Sequence, residues 1–363
     1  MRNLLIILVC IGIVGCKVAP TVPNATGTIY ECLCVIDAKP LRNVADSINA
    51  VIRSNPYAED IHTTADWVKA TLESDMPCLP QMEPFLSVSL VKPAQFDNFL
   101  KPTRNVLYVD IDSVHHSTLK VKYIIDHWSH PQAVCRITAN NNEQFIAFWK
   151  DNGERIRDWF VLQELIRQAN FYKAYRNKEA CELVKKEFGM EICIPEDYTI
   201  LKDTTVYLRD FSINYDDVRV FWACDPKGNV RKDIVIYSYP YIAQDNFTVD
   251  FLCKRRDEVL SQIITASTSG SYMGTEYKHI EPQMKAMAGL DGQYVAELRG
   301  LWKIYNGEAM GGPFVSHTQV DTVSQRVLTT EVFLYASGQK KRNSLRKAEA
   351  ILYTQHWAKE RAE

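Results

Sequence analysis

Residues 294–305 read YVAELRGLWKIY, and the alternation in this stretch decides the fold. Tyr294, Ala296, Leu298, Gly300, Trp302 and Ile304 fall on one face of an extended chain. Glu297, Arg299, Leu301 and Lys303 fall on the other. Residues 313–320 and 326–336 continue as two more strands. A helix capped by Asn343 follows, with Leu345, Ala348, Ile351 and Leu352 inward. Upstream, strands near 191–194, 205–211, 218–224 and 234–240 precede a helix that starts at Asp245 or Asn246, since either side chain can cap it. Residues 174–363 therefore read as an α+β domain, an antiparallel sheet with helices packed on one face. A connecting helix over 177–188 ends at Gly189.

The preceding segment, 28–173, has a different grammar. TIYECLCVID at 28–37 is apolar on both faces, as a buried strand is. A helix is expected over 41–52, strands over 84–91, 105–112 and 133–138, and a short helix opened by Pro93. A long amphipathic helix from Glu143 to about Lys173 closes the segment, with Asp151-Asn152-Gly153 as a break or bend. The order describes a mixed α/β domain.

The N-terminus, MRNLLIILVCIGIVGC, carries Arg2, then an apolar run too short for a membrane span, which needs about 20 residues. It reads as a signal peptide over 1–15. Ile13-Val14-Gly15-Cys16 looks like a lipobox, with Cys16 as the lipid attachment site. A diacylglyceryl cysteine gives durable anchoring where one acyl chain would not. Residues 16–27 then form a lipidated flexible tether that reaches roughly 35 Å when extended. It carries Lys17 and no acidic residue before Glu31, which points to the periplasmic face of the outer membrane rather than surface export.

Apolar residues make up 46% of the chain and charged ones 24%, the balance of a globular protein. A net charge of −2 with no basic stripe argues against nucleic-acid binding. Most of Cys32, Cys34, Cys78, Cys135, Cys181, Cys193, Cys224 and Cys253 sit in apolar, strand-like settings and read as buried free thiols, with a disulfide framework, open to an exported chain with an even count, as the alternative. No zinc-ribbon spacing, P-loop, Rossmann fingerprint, HExxH or GxSxG elbow occurs, so no cofactor or metal is expected.

Six blocks carry a family likeness: TRNVLYVDI at 103–111, IVIYSYPY at 234–241, GSYMGTEY at 270–277, AELRGLW at 296–302, GGPFVSHT at 311–318 and KRNSLRKAEAILY at 341–353. With these the chain resembles Bacteroidetes lipoproteins of the uncharacterised domain-of-unknown-function family 4837, over nearly all of its length after the tether. That resemblance implies an exported cell-envelope lipoprotein and no known activity. IPEDYTILKD at 194–203 also resembles the opening of PsbP-like or Mog1-like folds.

The candidate site lies on the meander. Glu297 and Arg299 share a strand face, and His317 joins them if the hairpin closes symmetrically; Glu276 is a further member. Arginine there would bind a carboxylate or phosphate, and histidine would exchange a proton. Cross-strand salt bridging explains the same residues. Gly311-Gly312-Pro313 would admit a ligand close to the backbone or make the turn. His115, His116, His127 and His130 read as solvated loop histidines, because His127 and His130 would share a metal only on a helix. The expected role is a non-catalytic accessory or binding protein of an envelope complex, held to the membrane by lipid, with protein partners. The alternative is a hydrolase or a small-ligand or glycan binder using the C-terminal sheet.

Overall fold

A computed structural model describes residues 22–39, 41, 62–209, 215–242, 247–290 and 292–358. The signal peptide, Cys16, most of the expected 41–52 helix, and Asp245 and Asn246 lie outside the described residues.

The first lobe contains β1 (Glu31–Val35), α1 (Thr64–Leu72), β2 (Ser87–Val91), β3 (Asn105–Ile111), β4 (Lys120–Ile125), β5 (Ala133–Ala139) and α2 (Asn142–Ala174). Its five strands lie in the order β2-β1-β3-β5-β4. All neighbours are parallel except β4, which runs antiparallel to β5 at the edge. Cys32, Cys34, Leu107, Val109, Cys135 and Ile137 point to the side covered by α1 and α2. Asp151-Asn152-Gly153 does not break α2, contrary to expectation. The helix is continuous, and Gly153 is buried where a Cβ would come within 3.0 Å of Thr71 on α1.

The second lobe contains α3 (Lys178–Phe188), β6 (Met190–Glu191), β7 (Thr199–Arg209), β8 (Tyr215–Asp225), β9 (Arg231–Pro240), α4 (Val249–Ile263), β10 (Tyr272–Glu276), β11 (Gln283–Ala288), β12 (Tyr294–Tyr305), β13 (Gly311–Asp321), β14 (Arg326–Tyr335), α5 (Arg342–Leu352) and β15 (His356–Trp357). Eight strands form one antiparallel sheet, β10-β12-β13-β14-β9-β8-β7, with β11 also on the outer edge of β12. Helix α3 ends at Gly189 in the left-handed region, as its sequence indicates.

The whole is α+β, with one difference from the expected layering. Helices cover both faces of the large sheet, not one. Val235, Tyr237, Phe314 and Phe333 pack under α4, whereas Ile234, Ile236, Val315 and Leu334 pack toward α5 and the first lobe. The strands of this sheet are apolar on both sides, which a sheet with one solvated face does not need. The layers run first sheet, α1 with α2, α5, large sheet, α4, and one apolar core spans both lobes.

Two caps also differ from expectation. Helix α4 is capped by Thr248, whose side chain accepts from the Phe251 N–H at 3.3 Å. Helix α5 takes no cap from Asn343. Glu83 reaches in from the first lobe and accepts from the Lys341 and Arg342 N–H groups at 2.6 and 3.2 Å. A carboxylate at a helix N-terminus gains from both the free N–H groups and the helix dipole.

Residues 22–27, expected to be free tether, lie on the body. The Ala25 N–H donates to the His130 carbonyl at 2.9 Å, and the Thr26 N–H to that of Pro102 at 2.9 Å. Short parallel bridges join Asn24 to His130 and Thr26 to Thr103.

Candidate functional site

The meander closes in the register its alternation implies, with Glu297 directly opposite His317. Strand pleating sends Glu297, Arg299 and His317 toward α5 and away from α4. There they are not exposed. His317 is 2% accessible, Glu297 7% and Arg299 9%. The Arg299 Nε donates to Glu297 at 2.8 Å, and its Nη2 pairs closely with Glu349 on α5. Glu349, wholly buried, also accepts from Arg346 Nη1 at 2.9 Å. The His317 Nε2 stands 3.5 Å from the second Glu297 oxygen, and Gln355 lies 3.2 Å from its Nδ1.

Burial works to raise the Glu297 carboxyl, but Arg299 and His317 beside it hold it well below the usual carboxylate range. Burial likewise opposes the charge on Arg299, yet Glu349 and Glu297 raise its pKa further. Each charge is kept because its neighbour is opposite. Buried ions need such pairing to offset lost hydration.

Between the lobes this chain of charges borders a cleft of about 240 Å³. Arg157, Asp158 and Leu162 of α2 form the wall on one side, and Arg299, Arg346 and Tyr353 the other. The Arg157 guanidinium sits 4.1 Å over the Phe85 ring and donates to Ser74 Oγ at 2.6 Å. Two buried nitrogens on the second wall, Arg299 Nη1 and Arg346 Nε, have no hydrogen-bond partner within the described residues. A buried donor left unpaired costs about 1–3 kcal/mol, so such atoms call for an acceptor.

Glu276 does not join this group. It sits on β10 opposite Leu301, accepts from the Lys278 and His279 N–H groups at 2.9 Å each, and pairs with Lys303 at 3.4 Å. Burial tends to raise it, but those N–H donors lower its pKa to about 2. It fixes the turn after β10. Gly311 and Gly312 open β13 and do not form a turn. A Cβ on Gly312 would come within 2.0 Å of the Leu334 carbonyl, so only glycine lets β13 and β14 approach there.

Three of the four histidines meet a carboxylate. His115 pairs with Asp112, His116 with Asp110 and His130 with Asp126, at 2.7, 2.9 and 2.7 Å, while the His127 ring lies tilted against Trp128. All eight described cysteines are unbridged and seven are buried. Burial pushes the Cys135 thiol up to about 12.

Sequence reasoning missed Arg346 and Glu349. The signal was present: Glu349 falls between Leu345 and Leu352 at helical spacing, on the stripe that faces inward.

Residues 177–354 match the family model described as Domain of unknown function (DUF4837). That segment is the part of the chain that is similar to the DUF4837 family. Residues 45–173 match a different model, Domain of unknown function (DUF8532), and the block at 103–111 falls there. The cleft thus lies between the DUF4837 segment and the DUF8532 match, and no curated protein matches the chain.

Proposed function

We propose that this chain is a lipid-anchored envelope protein whose body binds a small, acceptor-rich ligand in the interlobe cleft. Cys16 carries the lipid and holds the body at the periplasmic face of the outer membrane, where it serves as an accessory component of an envelope complex. The anchoring half rests on the export signal and lipobox at residues 1–16. The binding half rests on one observation: two buried guanidinium nitrogens, Arg299 Nη1 and Arg346 Nε, lack a partner at the wall of a cleft. A carboxylate or phosphate ester supplies the anionic acceptors that guanidinium donors pair with most strongly. A hydrolytic reading would want His317 at the cleft, but His317 is buried behind Glu297 and is not part of the lining.

Thermal denaturation of the purified chain with citrate, acetate and inorganic phosphate, at matched ionic strength, tests the binding half. Specific binding raises the midpoint in a saturable way. Leu162→Trp fills the cleft while leaving every member of the charged chain unsubstituted, and should abolish the rise. A rise of the same size in this variant, or no saturable rise with any probe, refutes the cleft as a binding site. Intact mass of the protein from its native membrane tests the anchor. Lipid should be present on the native protein and missing from Cys16→Ser.

A further inference from the structure

No described helix covers the outer face of the first sheet. Its apolar centre, Leu33, Val35, Val106 and Val134, is roofed by Phe96, Leu100 and Trp128 from two loops. Phe96 packs 5.3 Å from Trp128 and 5.6 Å from Tyr108. A basic row runs from this aromatic group over β5 to the edge strand β4. Lys122 stands directly opposite Arg136, and Lys120 follows one pleat along on the same face. Like charges placed opposite one another repel. Neither lysine has an ion-pair partner among the described residues.

Two shallow cavities, of about 260 and 210 Å³, share Arg136. Lys101, His127 and Trp128 line the first, and His116, Lys120 and Lys122 the second; neither lining includes a carboxylate. Asp110 is the acidic neighbour, 2.9 Å from His116 and 3.8 Å from Arg136. The face is cationic and aromatic, whereas the interlobe cleft balances its charges.

The path of the chain is the second observation. Residues 23–26 are pinned between Pro102 and His130, next in sequence to Lys101 and close to Trp128. Six residue-to-residue steps lead from Cys16 to Val22, a span of at most about 21 Å. A lipid on Cys16 holds this end of the first sheet within that distance of the bilayer.

We propose that the outer face of the first sheet lies against the membrane, with Lys101, Lys120, Lys122 and Arg136 on the phosphates of anionic lipid headgroups. Phe99, 85% exposed on the loop beside Lys101, and the half-buried Trp128 sit at headgroup level. Aromatic rings and long cationic side chains suit that layer, with their apolar parts inward and their polar ends wet. Electrostatic attraction at physiological salt reaches only about 8 Å, so it acts here because the tether keeps the face close. This inference rests on lipid anchoring at Cys16.

The test uses the lipidated full chain in vesicles of phosphatidylcholine alone or with 30% phosphatidylglycerol, followed by hydrogen–deuterium exchange. Flotation with both vesicles and the intact mass report the anchor. Peptides covering 92–104 and 119–138 report the face. The expected result is at least tenfold slower exchange in those peptides with the anionic vesicles, reversed by 0.5 M salt and lost in Lys120→Glu/Lys122→Glu, which still floats. Equal exchange on both vesicles, with flotation intact, overturns the face and leaves the anchor standing. An unlipidated chain that does not float overturns both.

Discussion

The interlobe cleft and the outer face of the first sheet both gather arginine and lysine, and they treat charge in opposite ways. Between the lobes, Arg299 and Arg346 alternate with Glu297 and Glu349 in a line from β12 to α5. Across β4 and β5, Lys122 faces Arg136 with no acid between them. Hydration explains the contrast. A buried ion loses its water and must be matched, while an exposed lysine keeps its water and tolerates a like neighbour at small cost. Paired charge therefore reads as architecture in this molecule, and unpaired exposed charge as a surface still open to a partner.

That contrast can be broken most severely at Glu349. Glu349→Ala removes the carboxylate common to Arg299 and Arg346, leaving Arg346 buried without its acid and Arg299 with Glu297 alone. Urea denaturation should show a loss of about 3–5 kcal/mol. Acid should act on the same line of charges. Glu297 is held below its ordinary value of 4.5, so its stabilisation is complete above that pH and is lost as pH falls toward the folded value. The urea midpoint should thus decline below about pH 4.5, and Glu297→Gln should start lower but decline less. Glu276, at about 2, adds to this decline over the same range, from the turn after β10.

A smaller effect is expected at Glu83, whose carboxylate caps α5 from the other lobe. Glu83→Ala should cost about 1–2 kcal/mol, near the top of the range for a cap. Smallest is Lys122→Glu, which turns the repulsive pair with Arg136 into an attractive one. It should stabilise by less than about 0.5 kcal/mol, measurable at low salt and gone at 1 M. A large loss there would mean that the outer face is architecture too.

Much of the fold was legible from alternation. The β12–β13 register, and with it the meeting of Glu297 and His317, follows from residue parity once the hairpin is granted. Strands β4, β10 and β11 were not legible. In β4 the lysines at 120 and 122 mask a period of two whose apolar members, Val121, Tyr123 and Ile125, are only partly covered at the sheet edge. β11 has a similar exposed pattern, and β10 contains Gly274. β4 and β11 bury little at their sheet edges, so their sequences are weakly constrained. The cap by Glu83 and the pairing of Arg299 with Glu349 join residues far apart in the chain, and no local pattern encodes them. Helices on both faces of the large sheet were foreshadowed by near-continuous apolar strands such as IVIYSYPY, a signal that alternation in β12 obscured.

The docked segment 22–27 gives the molecule a mechanical property. Its bridges to Thr103 and His130 are parallel to the direction of the chain, so a pull from residue 16 loads those hydrogen bonds in shear. Bonds in shear share the load and fail together, whereas bonds in a hairpin peel open one by one. A pull on the N-terminus would thus strain this short clamp first, and β1, an interior strand of the first sheet, would feel the force only after the clamp had given way.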